Sequence, residues 1–405
     1  MNKILDLIKK YWLLLLIGLA FRLILSATTF HLDVKSQMVA SATYFAGQLD
    51  PYHFARLIHP DTVLDKLPMS YFLDFPFRFP LHFFVDSSKE KIFLLSPNKF
   101  FGDPWLLSYL VYAKLPFLFA DMLVGILLAL LVSPQKQRTI LSIWMFNPFT
   151  LWATSMIGQI DIYISFFILL SFWLIRHSKF YAAAFVLGIG GAVKSAPFLL
   201  LPLLIGLVPD MKRKFLIIFF GVVPFLLTVL PYLPSADFRR DALFTPQLSK
   251  MLYIQLPLSG GENLFLNLTL IVLAYIFFFS RSRNAEDFSN YAIAIFLIIL
   301  SLTHFHLQWV LWIMPLLILW LIDHWHTGTK LAVGILIVSF LMMLFLFEAS
   351  LQIRLFSPIF PQLDQAKGLW EILPNERMIF LRSIAASLYA GGSFYLVFRL
   401  VKQDE

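Results

Sequence analysis

The sequence contains no cysteine and few charged residues, and both absences restrict the kind of protein it encodes. Without cysteine the chain forms no disulfide bonds and offers no thiolate ligands, so cysteine usage says nothing about the redox compartment. Only 14% of the 405 residues are charged, whereas 59% are hydrophobic, and no soluble domain of this length stays in solution with that composition. The sequence therefore predicts a polytopic membrane protein.

The sequence also lacks the marks of a nucleic-acid-binding or a secreted protein. Its formal net charge is +8, but the basic residues fall in short clusters between apolar runs, which is the pattern that sets membrane orientation. We therefore expect no nucleic-acid partner. The first apolar run, residues 11–30, has no small-residue cleavage site and contains Arg22, so it is predicted to be a retained helix. The expected location is the plasma membrane of a prokaryote or the endoplasmic reticulum of a eukaryote.

The apolar runs predict one all-α domain, residues 1–405, built as a bundle of about twelve transmembrane helices of about 20 residues each. The predicted crossings lie near residues 11–30, 105–132, 139–157, 160–176, 180–194, 196–209, 214–233, 264–280, 288–303, 307–322, 330–348 and 377–399. Crossings five and six are short, which predicts a hairpin, and Ala184, Gly188 and Gly191 form a small-residue stripe for close helix contact.

The positions of the basic clusters predict that both termini are cytoplasmic and that residues 31–104 form a long extracytoplasmic loop. Within that loop, apolar residues at Met38, Ala42, Phe45 and Leu49 indicate an amphipathic interfacial helix that ends at Asp50-Pro51-Tyr52. The stretch YFLDFPFRFPLHFF mixes aromatic, proline and charged residues as a second interfacial element would. The same topology places three polar turns on the outer face: residues 158–161, 194–197 and 304–306.

The motifs in these outer segments occur in an order that resembles the GT-C superfamily of membrane glycosyltransferases. They are an acidic residue after the first helix, then DPY, YAKLPFLFAD, FNPFTLW, GQID, VKSAPFLLLP and HFHLQWVLWIMP. The chain is most similar to mannosyltransferase-type members, which take a sugar from a polyprenyl phosphate. The resemblance implies that Asp33 is the catalytic base and that the DPY segment, with Asp50 and Tyr52, belongs to substrate binding. Many members have two adjacent acidic residues after the first helix, whereas Val34 and Lys35 follow Asp33 here.

Asp33 also suits a general base on chemical grounds alone. A sugar transfer with inversion needs one carboxylate to take the proton from the acceptor hydroxyl as that hydroxyl attacks. Asp50 is 17 residues away, too far along a helix to form the carboxylate pair of a retaining hydrolase. The alternative for Asp33 is a solvated acid at a helix end.

Three outer turns supply further candidate site residues, each with an alternative. Gln159 and Asp161 could bind sugar hydroxyls, or Asp161 could cap the following helix. Lys194 could neutralise a departing phosphate, or it could snorkel to lipid headgroups. GIGGAVKS is not a phosphate-binding P-loop, because Val193 replaces the required glycine and the context is a membrane helix.

His304 and His306 stand in the third turn, and the family resemblance suggests that this turn contacts the lipid-phosphate donor. The alternatives are an interfacial pair without a role, or a metal site with Asp33, which no HExxH spacing supports. We expect no cofactor. Within the membrane, Lys114 and Asp121 are seven residues apart on one helix face, and a structural ion pair or a polar network is the predicted use of Asp121, whereas Arg22 could reach a phosphate.

These observations predict a hexosyltransferase, with mannose as the first candidate sugar. It would use a polyprenyl-phosphate donor and a lipid, glycan or protein acceptor at the extracytoplasmic face. No nucleotide-binding motif is needed, because a lipid-linked donor arrives by diffusion in the bilayer. The alternative is a secondary transporter or a flippase for lipid-linked sugars. Transporters usually show paired halves with a midplane site, and no such repeat is visible here.

Overall fold

Helices form nearly all of the regular structure in the computed structural model, which describes residues 2–58, 63–281, 283–304 and 306–402. The α-helices are α1 (Asn2–Thr28), α2 (Leu32–Phe45), α3 (Pro51–Ile58), α4 (Pro68–His82), α5 (Ser87–Leu95), α6 (Pro104–Leu131), α7 (Gln137–Met145), α8 (Pro148–Thr150), α9 (Asp161–Arg176), α10 (Phe180–Val193), α11 (Leu201–Gly206), α12 (Met211–Val229), α13 (Ala236–Phe238), α14 (Leu266–Phe279), α15 (Ala285–Leu302), α16 (Met314–Asp323), α17 (Thr327–Phe345), α18 (Leu369–Ile372) and α19 (Asn375–Lys402).

The remaining elements are short. Two π-helices cover Leu151–Ile157 and Arg239–Leu243. The 3-10 helices cover Pro97–Phe100, Ala196–Leu200, Leu230–Tyr232, Pro246–Leu252, Leu307–Trp312, Ala349–Leu351, Ile353–Phe356 and Pro361–Gln365. Strands β1 (Gln255–Pro257) and β2 (Asn263–Phe265) form an antiparallel ribbon in which Leu256 is opposite Leu264.

Six helices of the described chain are long and apolar enough to cross a membrane, which confirms the predicted all-α membrane class. They are Lys3–Thr28, Pro104–Leu131, Met211–Tyr232, Ala285–Leu302, Thr327–Phe345 and Asn375–Lys402. The pair Gln137–Met145 and Pro148–Ile157, bent by 41°, would make a seventh. Shorter apolar helices are Phe180–Val193, Ala196–Gly206, Leu266–Phe279 and Met314–Asp323. Each of the twelve segments predicted as crossings therefore contains a helix or a pair of helices.

The short hairpin of α10 and α11 packs against α12 through glycine. A Cβ on Gly188 would overlap the backbone carbonyl of Gly221 on α12. A Cβ on Gly191 would lie 2.5 Å from the ring of Phe198. Small side chains let helix backbones approach closely in a membrane, so this contact explains the stripe predicted from the sequence.

The helix predicted from Met38 to Leu49 begins and ends earlier in the chain than expected. It is α2, which begins at Leu32 and ends at Phe45, and Leu49 lies beyond it with 85% of its surface exposed. Gly47, with a φ of +77°, turns the chain before Pro51 begins α3. The turn comes first because glycine adopts this backbone conformation without a Cβ clash, so proline starts the next helix rather than ending this one.

Helix α4 carries charge on its inner face and phenylalanine on its outer face. Asp74 and Arg78 are fully buried and paired at 2.9 Å, whereas Phe75, Phe79 and Phe83 are exposed at a spacing of four residues. A helix in water would be arranged the other way round, so the outer face of α4 suits lipid. The predicted YFLDFPFRFPLHFF element is thus a helix, and its position at the membrane surface stays a prediction.

The buried apolar residues form two clusters. The larger one runs through the bundle and includes Trp144, Ile160 and Leu311. The smaller one joins the helices of the 31–104 segment to α6 and to residues 229–243. Val34 belongs to the smaller cluster and lies close to Gly158, which directly follows Ile157 of the larger cluster, so the start of α2 lies where the two clusters meet.

Candidate active site

Asp33 lies in the first turn of α2, directly after the chain leaves α1. His31 is the N-cap, and its Nδ1 accepts a hydrogen bond from the backbone N–H of Asp33 at 3.2 Å. A carboxylate in the first turn is stabilised by the partial positive charge of the helix N-terminus. About a third of the Asp33 side chain, 34%, remains exposed. The carboxylate is therefore held in place and still open to a reactant.

Gln159 approaches Asp33 from the turn between the π-helix and α9. Its Nε2 donates a hydrogen bond to Oδ2 of Asp33. The approach depends on Gly158, which has a φ of +80° and on which a Cβ would lie 2.6 Å from Cγ2 of Val34. Only glycine fits both the left-handed backbone and this close contact.

The charges around Asp33 keep it ionised. Burial by itself raises the pKa of Asp33, but His31, Lys66, the Gln159 hydrogen bond and His306 outweigh burial and lower the pKa to about 2. The pKa of Lys66 is raised instead. Burial by itself lowers this pKa, but the charges of Asp65 and Asp33 outweigh burial and raise it above the usual lysine value. Lys66 Nζ donates to Asp65 Oδ1 at 2.7 Å. At neutral pH the site thus contains a carboxylate facing a charged lysine.

A second carboxylate, Asp161, is fully buried at the start of α9. Its Oδ1 accepts hydrogen bonds from Lys194 Nζ at 2.9 Å and from Trp312 Nε1 at 2.6 Å. Its Oδ2 has no hydrogen-bond partner among the described residues. Asp161 is therefore anchored through one oxygen, and the other oxygen lacks a donor in a buried position, which costs free energy.

Lys194 and Lys250 lie beside a pair of stacked indoles. The rings of Trp309 and Trp312 are 5.0 Å apart, and Lys194 Nζ is 5.7 Å and 5.6 Å from their centroids. Lys250 Nζ is 5.9 Å from the centroid of Trp309. A cation at such a distance is attracted to the ring face, so the tryptophans hold both ammonium groups near each other without neutralising them.

His306 interacts electrostatically with both lysines, Lys194 and Lys250, and with both carboxylates, Asp33 and Asp161. Its Nε2 is 3.1 Å from Lys250 Nζ and must accept the hydrogen bond, because an ammonium group only donates. Burial, then Lys250 and Lys194, lower the pKa of His306 to about 4, against the opposing pull of Asp33 and Asp161. His306 is therefore neutral at pH 7. In the part of the chain that the structure describes, no three His, Cys, Asp or Glu side chains come together to form a metal site.

The structure thus brings together five of the residues predicted from the sequence. They are Asp33, Gln159, Asp161, Lys194 and His306. His304 lies at the margin of this cluster, stacked on Phe347 at 5.8 Å. Burial, Lys250 and Arg382 lower its pKa, so it is electrostatically connected to the cluster without bonding to it.

Three residues assigned to substrate binding from the sequence make structural contacts in the fold, and their assignment to substrate stays a prediction. Arg22 is fully buried and its Nε pairs with Asp121 Oδ2 at 2.7 Å, so it has no surface with which to reach a phosphate. Asp50 caps α3 by accepting from the backbone N–H of Tyr52 at 3.1 Å. Tyr52 is 3% exposed, and its hydroxyl donates to the carbonyl of Lys66 at 2.8 Å, so it supports the segment that carries Lys66.

Four members of the cluster were not identified from the sequence: Asp65, Lys66, Lys250 and Trp312. One signal was present, because Lys66 lies in the 31–104 loop and Lys250 lies between the seventh and eighth predicted crossings, in residues 234–263, and both segments face outward in the predicted topology. Lysine is expected mainly in cytoplasmic segments of a membrane protein, so a lysine in a predicted outer segment indicates a specific role.

The chain matches no family model, no curated protein and no solved structure.

Proposed function

We propose that this protein is a membrane glycosyltransferase of GT-C type that moves one hexose, with mannose as the first candidate, from a polyprenyl-phosphate donor to an acceptor hydroxyl. The observation that carries the proposal is an ionised, partly exposed carboxylate, Asp33, beside Lys66 and a second group of lysines, Lys194 and Lys250. A base next to several cations matches a reaction that removes a proton and releases a phosphate.

In the proposed reaction Asp33 accepts the proton of the acceptor hydroxyl. The acceptor oxygen forms a bond to the anomeric carbon while the bond from that carbon to the phosphate oxygen breaks. The electron pair of the broken bond stays on the polyprenyl phosphate, whose added charge the lysines stabilise. One carboxylate and no covalent intermediate are required, so the anomeric configuration inverts.

The low pKa of Asp33 in the free protein implies that donor binding must raise this pKa before Asp33 acts as the base. A base with a pKa of about 2 accepts a proton poorly. Binding an anionic donor would compensate the charge of Lys66 and Lys194, and an added negative charge raises the pKa of a nearby carboxylate. The donor would therefore activate the base, and Asp33 would be most basic when the sugar to be transferred is bound.

Asp161 and Gln159 would orient the sugar. The unpartnered Oδ2 of Asp161 can accept a hydrogen bond from a sugar hydroxyl, which would remove the cost of its burial. The stacked tryptophans Trp309 and Trp312 present aromatic surface to the same region. We assign donor binding to Lys66, Lys194, Lys250 and His306, with His304 at the margin.

The proposed topology has twelve crossings, cytoplasmic termini and the site on the extracytoplasmic face. It is supported by the helices present in all twelve predicted segments and by the outward phenylalanines of α4, which suit contact with lipid. A polyprenyl chain would reach such a site from within the bilayer. The proposal requires no soluble nucleotide sugar.

The test is sugar transfer in proteoliposomes that contain the purified protein. The donors are synthetic polyprenyl-phosphate hexoses, mannose first, and products from a lipid extract are identified by mass spectrometry. We expect labelled sugar to appear on an acceptor lipid or glycan, with and without EDTA, because lysines supply the counter-charge. Failure with every lipid-phosphate hexose, together with movement of a labelled solute or lipid-linked sugar across the bilayer, would favour the transporter instead.

A further inference from the structure

Lys114 is a fully buried lysine on α6 whose hydrogen bonds are unusual. Its Nζ lies within hydrogen-bond distance of five oxygens: Ser26 O at 3.3 Å, Thr29 O at 2.6 Å, Thr29 Oγ1 at 3.2 Å, Ser155 O at 3.0 Å and Met156 O at 2.7 Å. None of these acceptors is a carboxylate. The polar network suggested by the spacing of Lys114 and Asp121 does not include a bond between them, since Asp121 pairs with Arg22.

The carbonyls that Lys114 binds belong to the ends of two helices. Ser26 lies in the last turn of α1 and Thr29 directly follows it, while Ser155 and Met156 lie at the end of the π-helix. The last carbonyls of a helix have no partner within the helix and carry partial negative charge, which a cation stabilises. One ammonium group thus joins two helix C-termini.

Both chain segments continue directly into the site. Asp33 is four residues after Thr29, and Gln159 is three residues after Met156. Between them, a Cβ on Gly158 would lie 3.2 Å from Cγ of Lys114. Lys114 therefore joins the two helix ends that lead directly to Asp33 and to Gln159, and these two residues are hydrogen-bonded to each other.

We propose that Lys114 is a positioning residue that fixes Asp33 against Gln159 by clamping the C-termini of α1 and of the π-helix. The inference rests on the proposed function, because it gives Asp33 the role of base. Lys114 itself is enclosed by protein and touches no reactant. Its removal would let the two ends move apart, and small displacements of a reacting group cost large factors in rate.

The kinetic test compares Lys114→Met with wild type in the proteoliposome transfer assay. We expect kcat to fall by about 10- to 100-fold, with the KM for donor changed less than about twofold because the lysines of the donor site are untouched. In an Asp33→Asn background, Lys114→Met should cause no further loss, since a clamp has no effect once the base is gone. The assignment would be overturned if the losses in kcat multiplied in the double variant, or if Lys114→Met changed only the KM for donor.

Thr29→Val provides a milder test if Lys114→Met does not fold. It deletes one hydroxyl contact of Lys114 and the bond from Thr29 Oγ1 to Met156 O at 3.0 Å. Ser171→Ala is the matched control, because it removes a buried hydroxyl bond, to Ala183 O at 3.1 Å, between α9 and α10. We expect a lower kcat for Thr29→Val and an unchanged kcat for Ser171→Ala. Equal values for the two variants would contradict the clamp.

A labelling measurement tests the clamp without any assay of activity. Ser155 is fully buried, and its substitution by cysteine introduces the chain's single thiol. Maleimide should modify Ser155→Cys slowly, and about 10-fold faster when Lys114→Met is added, because local opening governs access. An equally slow reaction in both proteins would refute the clamp. Faster labelling in a protein that transfers no sugar would leave the clamp standing and refute the proposed function alone.

Discussion

Gln159 donates a hydrogen bond to Asp33, although the two residues are separated by 126 positions in the chain. The bond engages Oδ2, and Oδ1 of Asp33 has no hydrogen bond from the described residues. An amide donor orients the carboxylate without neutralising its negative charge. This geometry leaves one oxygen oriented and free to accept a proton, which is what a base at this position requires.

Close packing of α10 on α12 predicts a stability effect at Gly188. Gly188→Ala should destabilise the protein by about 1–3 kcal/mol, because the new Cβ would overlap the rigid backbone carbonyl of Gly221. Gly334→Ala on α17 is the control, since nothing lies within 4 Å of a Cβ there. Thermal unfolding in detergent measures both. Equal melting temperatures would show that the two helices are not packed as closely as described.

Lys250→Met should weaken donor binding while the fold stays intact. A lost charge-assisted contact costs about 1.5–3 kcal/mol, so the KM for the polyprenyl-phosphate sugar should rise by roughly 10- to 100-fold. Lys91→Met is the control, because Lys91 is an exposed lysine of the first loop. Competition by free polyprenyl phosphate should weaken in parallel. An unchanged KM would exclude Lys250 from the donor site.

Lys194 requires a different substitution, because it also neutralises buried Asp161. Lys194→Met would leave that carboxylate unpaired and confuse donor binding with stability. The double variant Lys194→Met with Asp161→Asn removes both charges, and we expect it to fold but to bind donor poorly. Recovery of folding relative to Lys194→Met, with a donor KM higher than that of Asp161→Asn alone, distinguishes the two roles; a donor KM equal to that of Asp161→Asn would exclude Lys194 from donor binding.

The pH dependence should differ between free and donor-bound protein. Because Asp33 has a pKa of about 2 and His306 one of about 4, kcat/KM should stay level from pH 7 down to about pH 5. The acid limb of kcat should lie at higher pH than that of kcat/KM, since the bound phosphate raises the pKa of Asp33. The phosphodiester of the donor does not titrate in this range. An acid limb of kcat/KM centred near pH 6 would contradict the lowered pKa.

The topology predicts which single cysteines an impermeant maleimide reaches from outside. Ser87→Cys and Ser259→Cys, both at exposed positions of the predicted outer segments, should react in intact cells. Ser178→Cys, exposed in the turn between α9 and α10, should react only after permeabilisation. The reverse pattern would place the site on the cytoplasmic side.

The sequence could predict the helices and the turns between them, because hydropathy and the distribution of basic residues are read from each run separately, although the side of the membrane that the turns face stays a prediction. It thereby placed Asp33, Gln159, Asp161, Lys194 and His306 on one face, and the structure brings these five together. Their individual bonds, such as that between Lys194 and Asp161, could not be inferred, because the two residues belong to different helices.

The partners of the buried charged residues could not be predicted from the sequence, for a physical reason. Apolar helices in a membrane show little contrast between faces, so their rotation cannot be read from a hydrophobic pattern. Arg22 therefore seemed able to reach a phosphate, whereas it faces Asp121, and Lys114 faces two helix ends. Lys66 was missed because it lies in an irregular segment, and Lys250 because it lies in a short 3-10 helix; neither segment shows a hydrophobic period.

Asp33→Asn in the proteoliposome transfer assay tests the central claim most directly. Asparagine keeps the shape of the side chain but cannot take a proton at neutral pH, so kcat should fall by about 10²- to 10⁴-fold. Donor binding and melting temperature should change little, because the carboxylate is partly exposed. Asp50→Asn, which alters only the cap of α3, should retain near wild-type kcat. Transfer by Asp33→Asn at the wild-type rate would contradict the account.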